Sequence, residues 1–157
     1  MSGKMQSIVL AGLVTGVLAL LISIPQNPIL QCVGCLVYMG AGLMGVWHFT
    51  STNGVTISGG QGVGIGAAAG AIAAILASLL GMVLFADRMT EGFSQALEGL
   101  AQNPDIDDET YDTLEGFFTG SGIYVFVVFF SALIGSIMGL IGGAIGASVF
   151  KNGEEAV

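Results

Sequence analysis

The chain has 157 residues, of which 54% are hydrophobic and only 9% are charged. A soluble domain carries about 25% charged residues, so this composition predicts an integral membrane protein with a few spans. The net charge is −8 with only three cations, which argues against nucleic acid as a partner because phosphate binding needs clustered Lys and Arg.

The first apolar stretch, residues 7–24, ends before Pro25 and Pro28 and predicts a span followed by a tight turn. A cleaved signal peptide is the alternative interpretation. No small-x-small cleavage site follows and a second apolar stretch begins at once, which favours an uncleaved span. The second predicted span, residues 29–49, ends in Trp47 and His48. These two residues are typical of the aromatic belt at a membrane interface.

The third predicted span, residues 60–85, contains no charged residue. At about 1.5 Å per residue it reaches roughly 39 Å, enough to cross a hydrocarbon core of about 30 Å with some tilt. Ser58 and Gln61 have the spacing of a capping box and predict where the helix begins.

The only sizeable polar segment, residues 87–120, holds nine of the eleven acidic residues. A break at residues 103–105 divides it into two short amphipathic helices, and Asp107 or Asp108 is placed to cap the second. We therefore expect an extramembrane helical hairpin with an acidic solvated face. A Ca²⁺ loop is the alternative, but Thr110 and Gly116 occupy positions where an EF-hand needs Gly and Glu. The predicted apolar faces are Met89, Phe93, Leu97 and Leu100, then Tyr111, Leu114, Phe117 and Phe118.

The fourth predicted span, residues 122–150, completes an all-α fold. We expect a single membrane domain over residues 1–157, built as an up-down-up-down four-helix bundle with the hairpin between spans three and four. Lys4 and Lys151 flank the terminal spans, and the positive-inside tendency places both termini in the cytoplasm. A bacterial inner membrane is the expected location.

Small residues recur at four-residue spacing in the predicted spans, and such ladders let transmembrane helices approach closely. Placed at their expected depths, the glycines make every span thin in its cytoplasmic half, which predicts a bundle that is narrow there and broader outside. Ordinary packing of spans is one interpretation, and an outer cavity for an apolar molecule is the other. The predicted docking residues are Gly12, Gly16, Gly62, Gly66, Gly70, Ala74, Gly135, Gly139 and Gly143.

The sequence presents no catalytic, cofactor or metal constellation. Cys32 and Cys35 form a C-x-x-C pair without a thioredoxin-like context. Simple packing and a redox pair therefore both remain open. The only histidine, His48, is about 20 Å further along the span at 1.5 Å per residue, and a zinc site needs four ligands. No Asp, Glu, Lys or Arg falls within a predicted span, and the only His, His48, lies at a span end, which argues against ion coupling and intramembrane catalysis.

Three segments of the sequence carry a resemblance to known membrane proteins: Gln31 to Cys35, Gly40 to Gly42, and residues 55–62 before a Gly/Ala-rich span. In these features the chain resembles a loose group of small, Gly-rich four-span bacterial membrane proteins. The group implies no activity.

Two functions are expected from these observations, neither of them enzymatic. The first is a structural or accessory subunit that docks through its small-residue ladders onto other membrane subunits or onto copies of itself, because the ladders offer more grooves than one bundle needs. The second is a binder or carrier of an apolar molecule, lipid or pigment, in the broader outer half. Membrane lipid is the expected surrounding in both cases, and no cofactor is expected.

Overall fold

The computed structural model describes residues 3–24, 28–102 and 106–151, without the side chains of residues 28–32 and 108. No strand occurs in these ranges, which confirms the all-α prediction. Four of the helices are long and apolar enough to cross a membrane. The helices are α1 (Gly3–Ser23), α2 (Pro28–Asn53), α3 (Gly59–Leu84), α4 (Ala86–Ala101), α5 (Asp108–Thr119) and α6 (Gly122–Val149).

Helices α1 and α2 extend beyond the apolar stretches that predict them. Helix α1 begins at Gly3 rather than Ser7, and α2 continues to Asn53 rather than Phe49. An apolar run shows which residues lie in the hydrocarbon core, whereas the backbone hydrogen bonds of the helix can continue into the polar residues on either side. At the end of α2, the Asn53 side-chain amide donates to the Phe49 carbonyl at 2.8 Å. Gly54 then turns the chain with a φ of 64°, a conformation that glycine adopts without strain. The predicted turn at Pro25 lies outside the described residues.

Side-chain caps define where α3 and α5 begin. The Gln61 backbone N–H donates to the Ser58 hydroxyl at 3.3 Å, and the Ser58 N–H donates to the Gln61 side chain at 3.4 Å. The predicted capping box is therefore confirmed. Of the two candidate caps of α5, Asp107 performs the role, because it accepts the Thr110 backbone N–H at 2.7 Å.

The four long helices form a ring in the order α1, α2, α6, α3, with α2 and α3 also in contact across the middle. Within the described ranges, α1 and α6 do not touch. The core is built from small residues, since Ala11, Ala41, Ala69 and Ala73 are fully buried and Ile65 is the largest fully buried side chain. Small side chains allow the helix backbones to approach, which is how helices gain packing energy in lipid.

Large apolar side chains face outward from the same helices. Val83, Val125 and Phe129 are 78%, 71% and 64% exposed. A water-soluble protein of this size rarely exposes so continuous an apolar surface. This distribution is the one expected of helices surrounded by lipid.

Helices α4 and α5 contact each other and α6 through aromatic rings. The Phe93 and Phe118 ring centroids lie 5.7 Å apart, and Phe117 lies 5.8 Å from Phe126. Along the expected apolar face of α4, Leu97 is buried and Met89 is half-buried, while the acidic residues are exposed. On α4 the predicted apolar face is thus the more buried one, whereas on α5 the predicted face is half-buried at three positions and exposed at Phe117.

Candidate functional site

Three pairs of glycines bring α3 and α6 together along one line, which we call the glycine seam. The pairs are reciprocal: a methyl group on either member would collide with the carbonyl oxygen of the other. Their order is opposite along the two helices, so α3 and α6 run antiparallel. The pairs are Gly62 with Gly143, Gly66 with Gly139, and Gly70 with Gly135.

The remaining predicted docking residues also find partners within the chain. A methyl group on Gly12 would lie 3.1 Å from the Ala69 carbonyl oxygen, and one on Gly16 would lie 2.9 Å from the Ala73 carbonyl oxygen, so both glycines pack on α3. Ala74 is fully buried, and its methyl group faces Gly135. The nine predicted docking residues therefore serve contacts inside this chain.

Two further close contacts join α2 to α6, and the predicted docking residues did not include them. A methyl group on Gly142 would collide with the Met39 carbonyl oxygen, and one on Gly42 would collide with that of Gly139. Gly142 and Gly146 form their own four-residue step beside the ladder of Gly139 and Gly143. That second step was the signal that α6 packs on two helices at once.

Beyond the glycine seam, the space between α3 and α6 opens into an apolar groove of about 520 Å³. The change follows the sequence, because most of the lining residues that replace the glycines here are large. Tyr124 is the one lining residue that carries a polar side-chain group. The groove is lined by Ile75, Leu79, Met82, Tyr124, Val125, Val128, Phe129 and Ala132.

A smaller cavity of about 170 Å³ lies between the α4–α5 pair and the start of α6, and we call it the chamber. Tyr124 lines both the groove and the chamber, so one side chain is common to the two spaces. The chamber combines apolar and hydroxyl groups. Its lining is Thr90, Phe93, Ser94, Leu97, Phe118, Thr119 and Tyr124.

The surface of α4 next to the chamber is acidic. Thr90 and Ser94 line the chamber and also an open depression that includes Glu91 and Glu98. The nearby cation, Arg88, places its guanidinium 5.4 Å from the centre of the Phe85 ring. On α5, hydrogen bonds from the Thr110 side chain and backbone N–H lower the pKa of Asp107. This carboxylate is thereby held in its charged form as a helix cap.

The lone histidine has a partner that the sequence analysis missed. The His48 Nδ1 atom on α2 lies 2.8 Å from the Ser7 hydroxyl oxygen on α1. Ser7 is fully buried, and its hydroxyl proton donates to the Gly3 carbonyl at 3.0 Å. A serine at the start of the first apolar stretch gave no sequence signal of this contact, because the pairing depends on the relative position of two helices.

The other candidate residues do not form a site in the described part of the chain. Cys35 is half-buried with a free thiol, whereas the Cys32 side chain lies outside the described residues. The acidic run from Asp105 to Asp112 is described only in part, and among the described residues no group of three or more His, Cys, Asp or Glu side chains could hold a metal ion.

No protein-family model, curated protein or solved structure matches this chain.

Proposed function

We propose that this chain is a non-enzymatic integral membrane protein that binds an apolar chain, such as that of a lipid or pigment, in the groove between α3 and α6. The observation that carries the proposal is the groove itself, which has a volume of about 520 Å³ and an apolar lining. Ligand sites in proteins are typically clefts of about 300–1,000 Å³ with a mainly apolar lining and few polar groups.

Selectivity in such a groove has to come from shape, because lipid tails are as apolar as the side chains around them. The glycine seam supplies a fixed boundary at one end, since α3 and α6 touch through their backbones at Gly70 and Gly135. Beyond this point the groove walls are side chains on two helices whose spacing the seam holds constant. A chain that fits the groove is therefore bound by a surface that is already formed.

We further propose an up-down-up-down arrangement in a bacterial inner membrane, with both termini cytoplasmic and the α4–α5 pair outside as a hairpin. The opposite order of the contacts between α3 and α6 supports this arrangement. So do the contacts of α1 with α2, where Gly3 is near Asn53 and Ser7 is near His48. The groove then lies in the outer half of the membrane.

The test compares two tryptophan variants by the apolar molecules that remain bound through purification. Val128→Trp fills the groove, whereas Val17→Trp places the same side chain on an exposed position of α1. Native mass spectrometry in mild detergent should detect one retained apolar molecule per chain in the wild type and in Val17→Trp. Val128→Trp should lose it. Retention of the molecule by Val128→Trp, or no retained molecule in the wild type, would contradict the proposal.

A second candidate function is an accessory subunit that docks onto another subunit or a second copy of this chain. Its support is a row of small residues on α3 outside the glycine seam: a methyl group on Gly60 or Gly64 would meet nothing within 4 Å. Native mass analysis should then show an oligomer that Gly64→Leu converts into folded monomers. A wild-type protein that is monomeric in both mild detergent and nanodiscs would count against this role.

A further inference from the structure

The groove and the chamber share one lining residue and differ in chemical character. Tyr124 belongs to the lining of both spaces, so an apolar chain at the Tyr124 end of the groove lies one side chain away from the chamber. The chamber is about one third the size of the groove, at about 170 Å³ against 520 Å³. These sizes suit one apolar chain with a compact polar end.

Three of the four side-chain hydroxyls in the chamber lining have already used their protons, and the fourth belongs to Tyr124. Thr90 donates to the Ala86 carbonyl at 3.1 Å, Ser94 donates to the Thr90 carbonyl at 3.0 Å, and Thr119 donates to the Glu115 carbonyl at 2.7 Å. A hydroxyl group has one donor proton and two acceptor lone pairs. These three groups therefore offer a ligand acceptors and no donor.

The surrounding charge favours the same kind of ligand. Thr90 and Ser94 share the outer surface of α4 with Asp87, Glu91 and Glu98. Arg88, the cation on this helix, lies against the Phe85 ring. Acceptor groups beside carboxylates attract a cationic donor and repel an anion, and hydrogen bonds to a charged donor are stronger than those to a neutral one.

We propose that the groove and the chamber together form a site for a single-chain amphiphile with a protonated amine head. The apolar chain occupies the groove, and this part of the proposal rests on the function proposed above. The ammonium group lies in the chamber, donates to the Thr90, Ser94 and Thr119 hydroxyl oxygens, and is attracted by the carboxylates of α4.

The experiment uses three photoreactive probes of equal chain length, a primary alkylamine, an alkyl alcohol and an alkyl carboxylate. The full-length protein is reconstituted in phosphatidylcholine nanodiscs at neutral pH, and labelled peptides are mapped by mass spectrometry. The amine should bind at least tenfold more tightly than the carboxylate and label the groove residues of α3 and α6. Added salt should reduce this preference, because the carboxylates of α4 are exposed and subject to screening.

Substitutions in the chamber separate the amine specificity from groove binding. The double variant Thr90→Val with Ser94→Ala should weaken amine binding about tenfold and change carboxylate binding less than twofold. Thr113→Val removes a hydroxyl with the same backbone bond on α5, to the Glu109 carbonyl at 2.9 Å, outside the chamber. It should leave all three affinities unchanged. Because Glu91 and Glu98 are exposed, the variant Glu91→Gln with Glu98→Gln keeps the fold and should reduce the amine preference alone.

The outcomes distinguish the two proposals. If all three probes bind equally and Val128→Trp abolishes their binding, the groove function stands and the amine specificity is overturned. If the amine is preferred but the chamber variants do not weaken its binding, the assignment of the head group to the chamber is overturned. If no probe labels the groove above the level of the exposed α1 surface, both proposals fail.

Discussion

The glycines of the seam matter individually because each stands opposite a carbonyl oxygen. Gly66 and Gly139 exchange this contact reciprocally, and without Cβ atoms the two backbones can approach closely at this point. Contacts of the Cα–H···O type recur at close helix interfaces and contribute about 0.5–1 kcal/mol each. A ladder of small residues is visible in the sequence, but the identity of the partner is not, because one ladder fits several others.

The first prediction compares Gly66→Ala with Gly64→Ala, two positions that are two residues apart on α3. An added methyl group at Gly66 would collide with the Gly139 carbonyl oxygen and lie 2.7 Å from the Gly143 Cα atom, whereas at Gly64 it would meet nothing within 4 Å. Gly66→Ala should lower the free energy of unfolding by about 1–3 kcal/mol through overpacking. Gly64→Ala should leave it unchanged or raise it by up to about 1 kcal/mol through helix propensity. Unfolding of the monomer in a denaturing-detergent titration measures both values, and equal effects would contradict the seam.

The direction of the Ser7–His48 hydrogen bond follows from counting the available protons. The single Ser7 hydroxyl proton donates to the Gly3 carbonyl, so the His48 Nδ1–H is the donor to the Ser7 oxygen. The ring nitrogen Nε2 is then the unprotonated one in neutral His48. We therefore expect neutral His48 to carry its ring proton on Nδ1, with the buried Ser7 selecting this tautomer.

The second prediction concerns Ser7→Ala. The substitution leaves the His48 N–H without its partner and should lower the free energy of unfolding by about 1 kcal/mol. Ser148→Ala is the matched control, because the Ser148 hydroxyl makes a similar backbone bond, to the Ala144 carbonyl at 3.1 Å, at an exposed position. Thermal unfolding in detergent should separate the two variants. A nitrogen-15 spectrum of the His48 ring should also change its tautomer ratio in Ser7→Ala, and an unchanged ratio would count against the assignment.

At the scale of elements, α4 and α5 are attached to the bundle by a row of rings. The centroids of successive rings are 5.7, 5.9, 5.8 and 4.9 Å apart in the order Phe93, Phe118, Phe117, Phe126 and Phe130. Aromatic pairs of this kind contribute about 0.5–1.5 kcal/mol each beyond their buried area. The amphipathic spacing predicted two helices with apolar faces. It did not predict that α6 provides the cover, because helical periodicity shows which side is buried and not against what.

The third prediction concerns the N-terminal cap of α5 at low pH. Hydrogen bonds from Thr110 lower the Asp107 pKa from its ordinary value of 3.8. A lowered folded-state pKa means that the charged cap stabilises α5 at pH values above 3.8 and that this contribution is lost as the pH falls through the lower, folded-state value. The Thr110 amide resonance should therefore titrate with a midpoint below 3.8. Asp107→Asn should keep the helix, since Asn also caps well, and remove this titration. A midpoint at or above 3.8 would refute the cap assignment.

At the scale of the whole molecule, the ring order α1, α2, α6, α3 decides where the seam and the groove lie. Consecutive helices α2 and α3 meet across the middle, and α3 has α1 and α6 as its neighbours. Up-down alternation alone allows several ring orders. The observed order places the glycine-rich faces of α3 and α6 against each other and gives Gly42 and Gly142 their contacts with α6 and α2.

The fourth prediction concerns topology in the membrane. A Thr110→Cys variant, made in a background with Cys32→Ala and Cys35→Ala, should react with a membrane-impermeant thiol reagent added from outside to intact cells. The background substitutions themselves should change stability little if the cysteines only pack. Lys151→Cys serves as the control and should react only after the membrane is permeabilised. The reverse pattern would invert the orientation and move the groove to the cytoplasmic half.

Sequence by itself determined the class of this protein, because the signals involved are local. Apolar stretches fixed the existence of four long helices, the spacing of Ser58 and Gln61 fixed the start of α3, and Asp107 was one of two candidate caps for α5. Each of these features depends on residues within one or two helical turns. The apolar faces of α4 and α5 were likewise readable from their periodicity.

Only the tertiary structure decided which small residues meet and what space remains between them. The nine ladder residues were predicted as docking positions, and the ring order gives all of them contacts inside the chain. The Ser7–His48 contact and the groove and chamber that share Tyr124 involve residues far apart in sequence. The physical reason is that glycine ladders are nearly interchangeable as surfaces. The choice among them depends on the axial offset and order of whole helices, which no local pattern encodes.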